Sequence, residues 1–269
     1  MNSAPFHKMH GLGNDFVVID ARLHAVEMNK ARAHAIADRH MGIGCDQLIL
    51  LEPSTIADVK MRIFNADGSE VEACGNATRC VALLMEKPAR IETVGGILET
   101  VPQGQSATVL LNPPAFEWEF IPLAMPMDTS DMPVGWEKLE RPTAVNVGNP
   151  HVVFFVDDTD AVELERLGPL IENDPLFPER VNVNVATVIA TNHVKLRVWE
   201  RGVGLTKACG TGACATAVAA IRSGRAKSPL TVSLPGGALS ISWAEGGPIE
   251  MSGPAAHVFT GTADWNAFG

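Results

Sequence analysis

The chain has 269 residues, 46% hydrophobic and 19% charged, the balance of a soluble globular protein long enough for two domains with filled cores. A net charge of −10 without any Lys/Arg cluster sets nucleic acid aside as a partner. No window approaches the roughly 18 uninterrupted apolar residues of a membrane span. The polar N-terminus lacks the apolar core of a signal peptide, and five cysteines, an odd number, point to reduced thiols and a cytoplasmic location.

In chain order, the turn His10-Gly11-Leu12-Gly13-Asn14 leads into an apolar strand over 16–19. Alone, that turn reads more simply as a tight turn before a strand than as a phosphate site. Asn29 suits the N-cap of an outer amphipathic helix near residues 30–40. Strands are predicted over 48–51 and 60–64. Ala73-Cys74-Gly75-Asn76 then opens a helix over 76–87 that carries Ala77, Val81, Ala82, Leu83, Leu84 and Met85. Six prolines within 112–142 rule out a regular helix or central strand there, so the stretch is a crossing between two halves.

The second half repeats the plan. Gly148-Asn149 precedes a strand over 152–156, and strands follow over 183–189 and 193–199, the last alternating apolar and polar residues. Ala208-Cys209-Gly210-Thr211 opens a helix over 211–223 that is small or apolar on every face, hence buried all round, with Gly224 placed to end it. Cys80 and Cys214 lie inside the two helices and read as packing residues.

The repeat has one register. An offset of 135 residues pairs Cys74 with Cys209, Asn14 with Asn149, Gln47 with Asn182, Asn65 with Glu200, and Arg62-Ile63-Phe64 with Arg197-Val198-Trp199. Two homologous halves facing each other across a pseudo-twofold axis would bring one cysteine from each to a shared site. Opposed thiols can remove a proton from one face of a carbon and return one to the other, which inverts a stereocentre.

A cysteine just ahead of a helix and followed by glycine sits among free N–H groups at the positive end of the helix dipole. Thiolate is expected to be favoured there, and an anion can bind. A substrate carboxylate held by two such ends would be stabilised as charge builds on removal of its α-proton. No lysine has a context suggesting a Schiff base, no G-x-G-x-x-G follows a strand, and the cysteine spacings match no zinc pattern. No cofactor and no metal are therefore expected. Where Asn65 meets Glu200 the symmetry breaks, and Arg201 follows. That asymmetric part would hold the rest of the substrate, with Arg201 able to clamp a second carboxylate. His151 reads equally as a group that tunes a thiol and as a satisfied, half-buried histidine.

At these residues the chain resembles the diaminopimelate epimerases over nearly its whole length. The motifs that carry the resemblance begin with Met9-His10-Gly11-Leu12-Gly13-Asn14-Asp15-Phe16, Gly44-Cys45-Asp46-Gln47 and Phe64-Asn65-Ala66-Asp67-Gly68-Ser69-Glu70. They continue with Gly148-Asn149-Pro150-His151, Phe177-Pro178-Glu179-Arg180, Glu200-Arg201-Gly202, both cysteine motifs and Leu234-Pro235-Gly236-Gly237. The resemblance implies an α+β fold of two pseudo-symmetric domains, each a mixed, barrel-like sheet rolled around a central helix. We place them at 1–117 and 118–256, with 257–269 a candidate return to the first.

It also implies a cofactor-independent isomerase that interconverts LL- and meso-diaminopimelate in lysine and peptidoglycan precursor synthesis. Cys74 and Cys209 are then the acid–base pair. Asn14, Gln47, Asn65, Gly75, Asn76, Asn149, Asn182, Glu200, Arg201, Gly210 and Thr211 contact substrate, and His151 and Glu200 adjust the thiols. Some relatives have Gly-Ala where this chain has Ala77-Thr78, and Ser at Thr211, changes that keep the backbone donors. The expected partner is the small substrate alone, without nucleic acid or membrane, and a homodimer is compatible with the sequence.

Three other readings compete. A proline or hydroxyproline racemase would share the two cysteines but needs no clamp for a distal carboxylate. A binding module would not need two thiols at helix starts. A dithiol redox protein would be expected to show Cys-x-x-Cys.

Overall fold

A computed structural model of the chain describes residues 3–22, 25–72 and 74–268. Ala73, the first residue of the first cysteine motif, lies outside them. The chain divides into two compact units. One comprises the residues up to Val109 together with those from Gly253 on, and the other runs from Leu110 to Ser252.

The first unit contains β1 (Ser3–Gly11), β2 (Asn14–Asp20), α1 (Lys30–Ala37), β3 (Gln47–Glu52), β4 (Val59–Asn65), β5 (Glu70–Val71), α2 (Gly75–Met85), β6 (Ala89–Thr93), β7 (Gly96–Gln103) and β8 (Ser106–Leu111), whose last residues cross into the second. Strand β2 pairs antiparallel with β1 and parallel with β3, β3 antiparallel with β4, and β4 parallel with β6. Asn29 caps α1, its side chain accepting from the Arg32 N–H, as the sequence suggests.

Both faces of this sheet are buried, and the period-two alternation of strands divides them. Phe16, Val18, Ile49, Leu51, Met61 and Ile63 pack with Ala77, Cys80 and Val81 of α2. Val17, Ile19, Leu48, Leu50 and Phe64 pack instead with Ala33, Ile36 and Ala37 of α1.

The second unit contains β9 (Gly135–Trp136), β10 (Leu139–Glu140), β11 (Thr143–Asn146), β12 (Pro150–Phe155), α3 (Leu164–Glu172), β13 (Asn182–Ala190), β14 (His193–Glu200), β15 (Gly204–Thr206), α4 (Gly210–Arg222), β16 (Leu230–Leu234), β17 (Gly237–Trp243) and β18 (Ile249–Pro254), which ends in the first unit. The chain then completes the first unit with β19 (Ala256–Asp264), antiparallel to β1.

The pairing of the first unit recurs: β12 is antiparallel to β11 and parallel to β13, β13 antiparallel to β14, and β14 parallel to β16. Val152, Phe154, Val183 and Val185 pack against Leu164, Leu167 and Ile171 of α3, and α4 lies against the strands from the other side. The fold is thus α+β, two repeats of a mixed sheet around a central helix. Every residue of α4 from Gly212 to Ala220 is buried, and Gly224 follows the helix with φ +71°. The proline-rich crossing holds only the two-residue strands β9 and β10 and a bridge at Ala115. No described helix is long and apolar enough to cross a membrane.

Candidate active site

Strand parity brings the sequence-predicted residues of each unit to one face. Asn14, Gln47 and Asn65 share the alternation of Phe16, Ile49 and Ile63, which face α2, and stand at the strand ends beside its start. Asn182 and Glu200 likewise lie on the face opposite the α3-packed Val183, toward α4. Gly13 and Gly148, with φ +85° and +109°, make the turns that present Asn14 and Asn149.

In the first unit Cys74 is the N-cap of α2, in extended conformation with φ −147°. Its Sγ donates to Asn14 Oδ1 at 3.8 Å, and Asn76 Nδ2 donates to the same oxygen at 3.2 Å. Asn14 is oriented from behind, since its Nδ2 donates to Asp46 Oδ2 at 3.1 Å. Asp46 in turn accepts from Arg39. Asn76 Oδ1 accepts from Arg79 Nη2 at 2.9 Å, and this arginine is fully buried behind the helix start. Gln47 Nε2 donates to Asn65 Oδ1 at 2.9 Å, and Asn65 Nδ2 donates to Ser69. The buried Gln47 Oε1 has no partner among the described residues, which leaves an acceptor for a ligand.

In the second unit Cys209 is the N-cap of α4, with Gly212 N–H donating to Sγ at 3.3 Å and the Thr211 hydroxyl 3.6 Å away. Asn182 Nδ2 donates to Pro150 O, and its Oδ1 accepts from the Arg201 N–H at 3.0 Å. The Arg201 guanidinium donates to Glu179 O and, among the described residues, makes no salt bridge, so its remaining donors stay available for an anion. Glu200 accepts from Thr206 Oγ1 and interacts with Cys209.

The thiolate expectation fails for Cys209. Burial pushes its thiol well above the usual range, and the nearby Glu200 charge pushes the same way. The Thr211 hydroxyl and Gly212 N–H pull it down without prevailing. Glu200 is raised too, by burial first, against the opposing bonds to Thr206 and Cys209. Cys209 is therefore a thiol beside a carboxyl whose affinity for a proton is increased. Cys80 and Cys45 are buried packing residues, pushed by burial up to about 12, and Cys214 is fully buried in α4.

Of the two readings of His151, the structure favours the satisfied one. The ring is fully buried, Nε2 lies 2.8 Å from Asn149 Oδ1, and Nδ1 lies 3.0 Å from Asn184 Nδ2. Burial lowers it to about 3, so it is neutral.

Three comparisons with known proteins bear on what the chain is. The family model for diaminopimelate epimerase matches residues 6–115 and 143–258. The chain belongs to the diaminopimelate epimerase family. It is 71% identical over 264 residues to the diaminopimelate epimerase of Sphingopyxis alaskensis, covering 98% of each chain. It is 68% identical to that of Rhizorhabdus wittichii, covering 98% of this chain and 97% of the other. Among solved structures, a phenazine biosynthesis protein of the PhzF family from Bacillus anthracis superposes with a TM-score of 0.70 at 16% identity, over 98% of this chain and 99% of that one. A hydroxyproline epimerase from Agrobacterium vitis gives 0.69 at 15% identity, over 98% and 91%. At these identities the likeness is one of fold.

Several residues around the site escape sequence reasoning: Asp46, Arg79, Glu172, Asn184 and Thr206. Asp46 adjoins Gln47, and Asn184 shares a strand face with Asn182, so neighbourhood and parity were the available signals.

Proposed function

We propose that the protein interconverts LL- and meso-diaminopimelate by a two-base mechanism without pyridoxal phosphate or metal, with Cys74 and Cys209 as the acid–base pair. The observation that carries this reading is the repeated placement of a thiol. Each unit sets one at the N-cap of its buried central helix: Cys74 beside Asn14, which Asp46 orients, and Cys209 beside Thr211 and Glu200. Family membership supplies the substrate.

The reaction requires the two half-sites to meet on opposite faces of one α-carbon. The first-turn N–H groups at Gly75-Asn76 and Gly210-Thr211 then receive the α-carboxylate and stabilise the charge that builds there. For Cys209 to act as base toward the LL form, its proton must leave. Glu200 is the acceptor at hand, because burial has raised its affinity for a proton. Cys74 returns a proton from the other side. Asn14, Asn65, Asn149 and Asn182 contact the substrate, Gln47 Oε1 offers an acceptor to an ammonium group, and Arg201 clamps the distal carboxylate.

A place in lysine and peptidoglycan precursor synthesis follows from that substrate. Five free cysteines support a reducing, cytoplasmic setting. A homodimer is supported by Val258 and Phe259, exposed on β19. The test is incubation of metal- and cofactor-stripped protein with LL-diaminopimelate, followed by chiral chromatography. Conversion toward the meso form is expected. No conversion, or faster conversion of proline or hydroxyproline, overturns the reading.

A further inference from the structure

We infer that Asn184 is a positioning residue for the reaction: it fixes the tautomer of His151 and so turns the Asn149 amide with its NH2 toward the substrate. The inference rests on the epimerase reading only for what the Asn149 amide then meets.

One amide in this chain of contacts has only one possible orientation. Asn184 is fully buried, and its Nδ2 lies 3.0 Å from Val152 O. A backbone carbonyl only accepts, so the amide nitrogen of Asn184, not its oxygen, must face it. The second hydrogen of that nitrogen points at His151 Nδ1, 3.0 Å away, which must therefore be the bare nitrogen of a neutral ring. The ring hydrogen is then on Nε2 and donates to Asn149 Oδ1 at 2.8 Å. With its oxygen committed, Asn149 presents its NH2. The reverse tautomer would make Nε2 an acceptor and swing the amide round, aiming an oxygen at a substrate carboxylate.

A third contact holds Asn184 in place. A Cβ on Gly212 would lie 2.8 Å from Asn184 Oδ1 and 3.3 Å from Cys209 Cβ, so this amide oxygen sits against the first turn of α4 beside the reacting cysteine. Asp46 does the equivalent work for Asn14, by accepting from its Nδ2. The two units thus orient paired asparagines by different means.

The experiment is long-range 1H–15N correlation on uniformly labelled protein, with the His151 signals identified by their absence in His151→Gln. The expected result is one neutral ring protonated on Nε2, without titration between about pH 5.5 and 8.5. In Asn184→Asp the carboxylate accepts, so the ring hydrogen should move to Nδ1. kcat/KM for LL-diaminopimelate should fall on the order of tenfold, mainly through KM.

A wild-type ring protonated on Nδ1, or an imidazolium, overturns the inference even if the variant does not fold. So does a folded Asn184→Asp that keeps the wild-type tautomer, or one that shifts the tautomer while KM stays unchanged. The spectrum needs no substrate, so the expected tautomer in a protein that does not turn over diaminopimelate would refute the epimerase reading alone.

Discussion

Glu172 grips the chain on both sides of Glu200-Arg201: its Oε2 accepts from Trp199 Nε1 at 2.7 Å, and its Oε1 accepts from the Gly202 N–H at 2.8 Å. Glu172 is buried near the end of α3, and Gly168 one turn earlier gives the Trp199 ring its room, since a Cβ there would lie 2.4 Å from the indole. The helix on the outer face of the sheet therefore sets where the segment carrying Glu200 and Arg201 can lie. Glu172→Ala removes two hydrogen bonds to a charged group, from the half-buried Trp199 indole and the Gly202 N–H, and should lower stability by about 1–3 kcal/mol. It should also raise KM for diaminopimelate. Urea unfolding and steady-state kinetics check both, and an unchanged KM in a destabilised variant would reduce Glu172 to a packing role.

Arg201→Met should weaken binding far more than it slows proton exchange. On the proposed reading the guanidinium serves the part of the substrate that does not react, and loss of a desolvated, bidentate pair costs on the order of 2–5 kcal/mol. Lysine, without the second carboxylate, should be a poor substrate for the unmodified protein. Kinetics with both amino acids decide, and equal turnover of lysine would refute the clamp.

Glu200→Gln should lower the thiol pKa of Cys209, because after burial the charge of Glu200 is the largest influence holding it up, and the hydrogen bond to Glu200 adds to it. The same change should abolish epimerisation, since the thiol then has no proton acceptor beside it. Thiolate absorbance titrated in Cys45→Ala, Cys80→Ala, Cys214→Ala backgrounds reads the first effect. A titration that Glu200→Gln leaves in place would mean the two groups do not share a proton.

His151 carries a pH dependence of stability. Its folded pKa of about 3 lies below the ordinary 6.5, so between those values the unfolded chain binds a proton that the folded chain does not. The contribution of the neutral ring is complete above about pH 6.5 and is lost as pH falls, with a slope of up to about 1.4 kcal/mol per unit. Asp15 also loses stability in acid, but at lower pH. Hydrogen bonds from Arg39 and Lys8 outweigh its burial and hold it at about 2. Urea unfolding between about pH 4.5 and 6 reads this range, in which His7, also lowered by burial, adds to the slope and Glu200, raised by burial, opposes it; His151→Leu should reduce the slope there by the share of this ring. An equal slope in the variant would contradict a buried, neutral His151.

Much of this site was legible because two periodicities report position without packing. Alternation along a strand puts Asn14 with Phe16 and Gln47 with Ile49, and the repeat offset carries each assignment to the second unit. Small residues throughout 211–221 disclosed the buried helix, and the paired motifs disclosed both capping thiols. Asn184 stayed hidden because the register sets it against Ile49, a core residue with no polar role. The raised thiol of Cys209 was misread for another reason. A helix start is a local feature visible in sequence, whereas burial beside Glu200 is a product of tertiary packing.

The most direct test of two opposed thiols is isotopic. LL-diaminopimelate is incubated in deuterated water with the wild-type protein and with Cys74→Ser and Cys209→Ser, and product and recovered substrate are analysed separately. The expected result is meso product from the wild type carrying one deuterium on the inverted α-carbon, and no inversion by either single variant. Meso product that retains its original hydrogen, or inversion that persists in either variant, would contradict the mechanism.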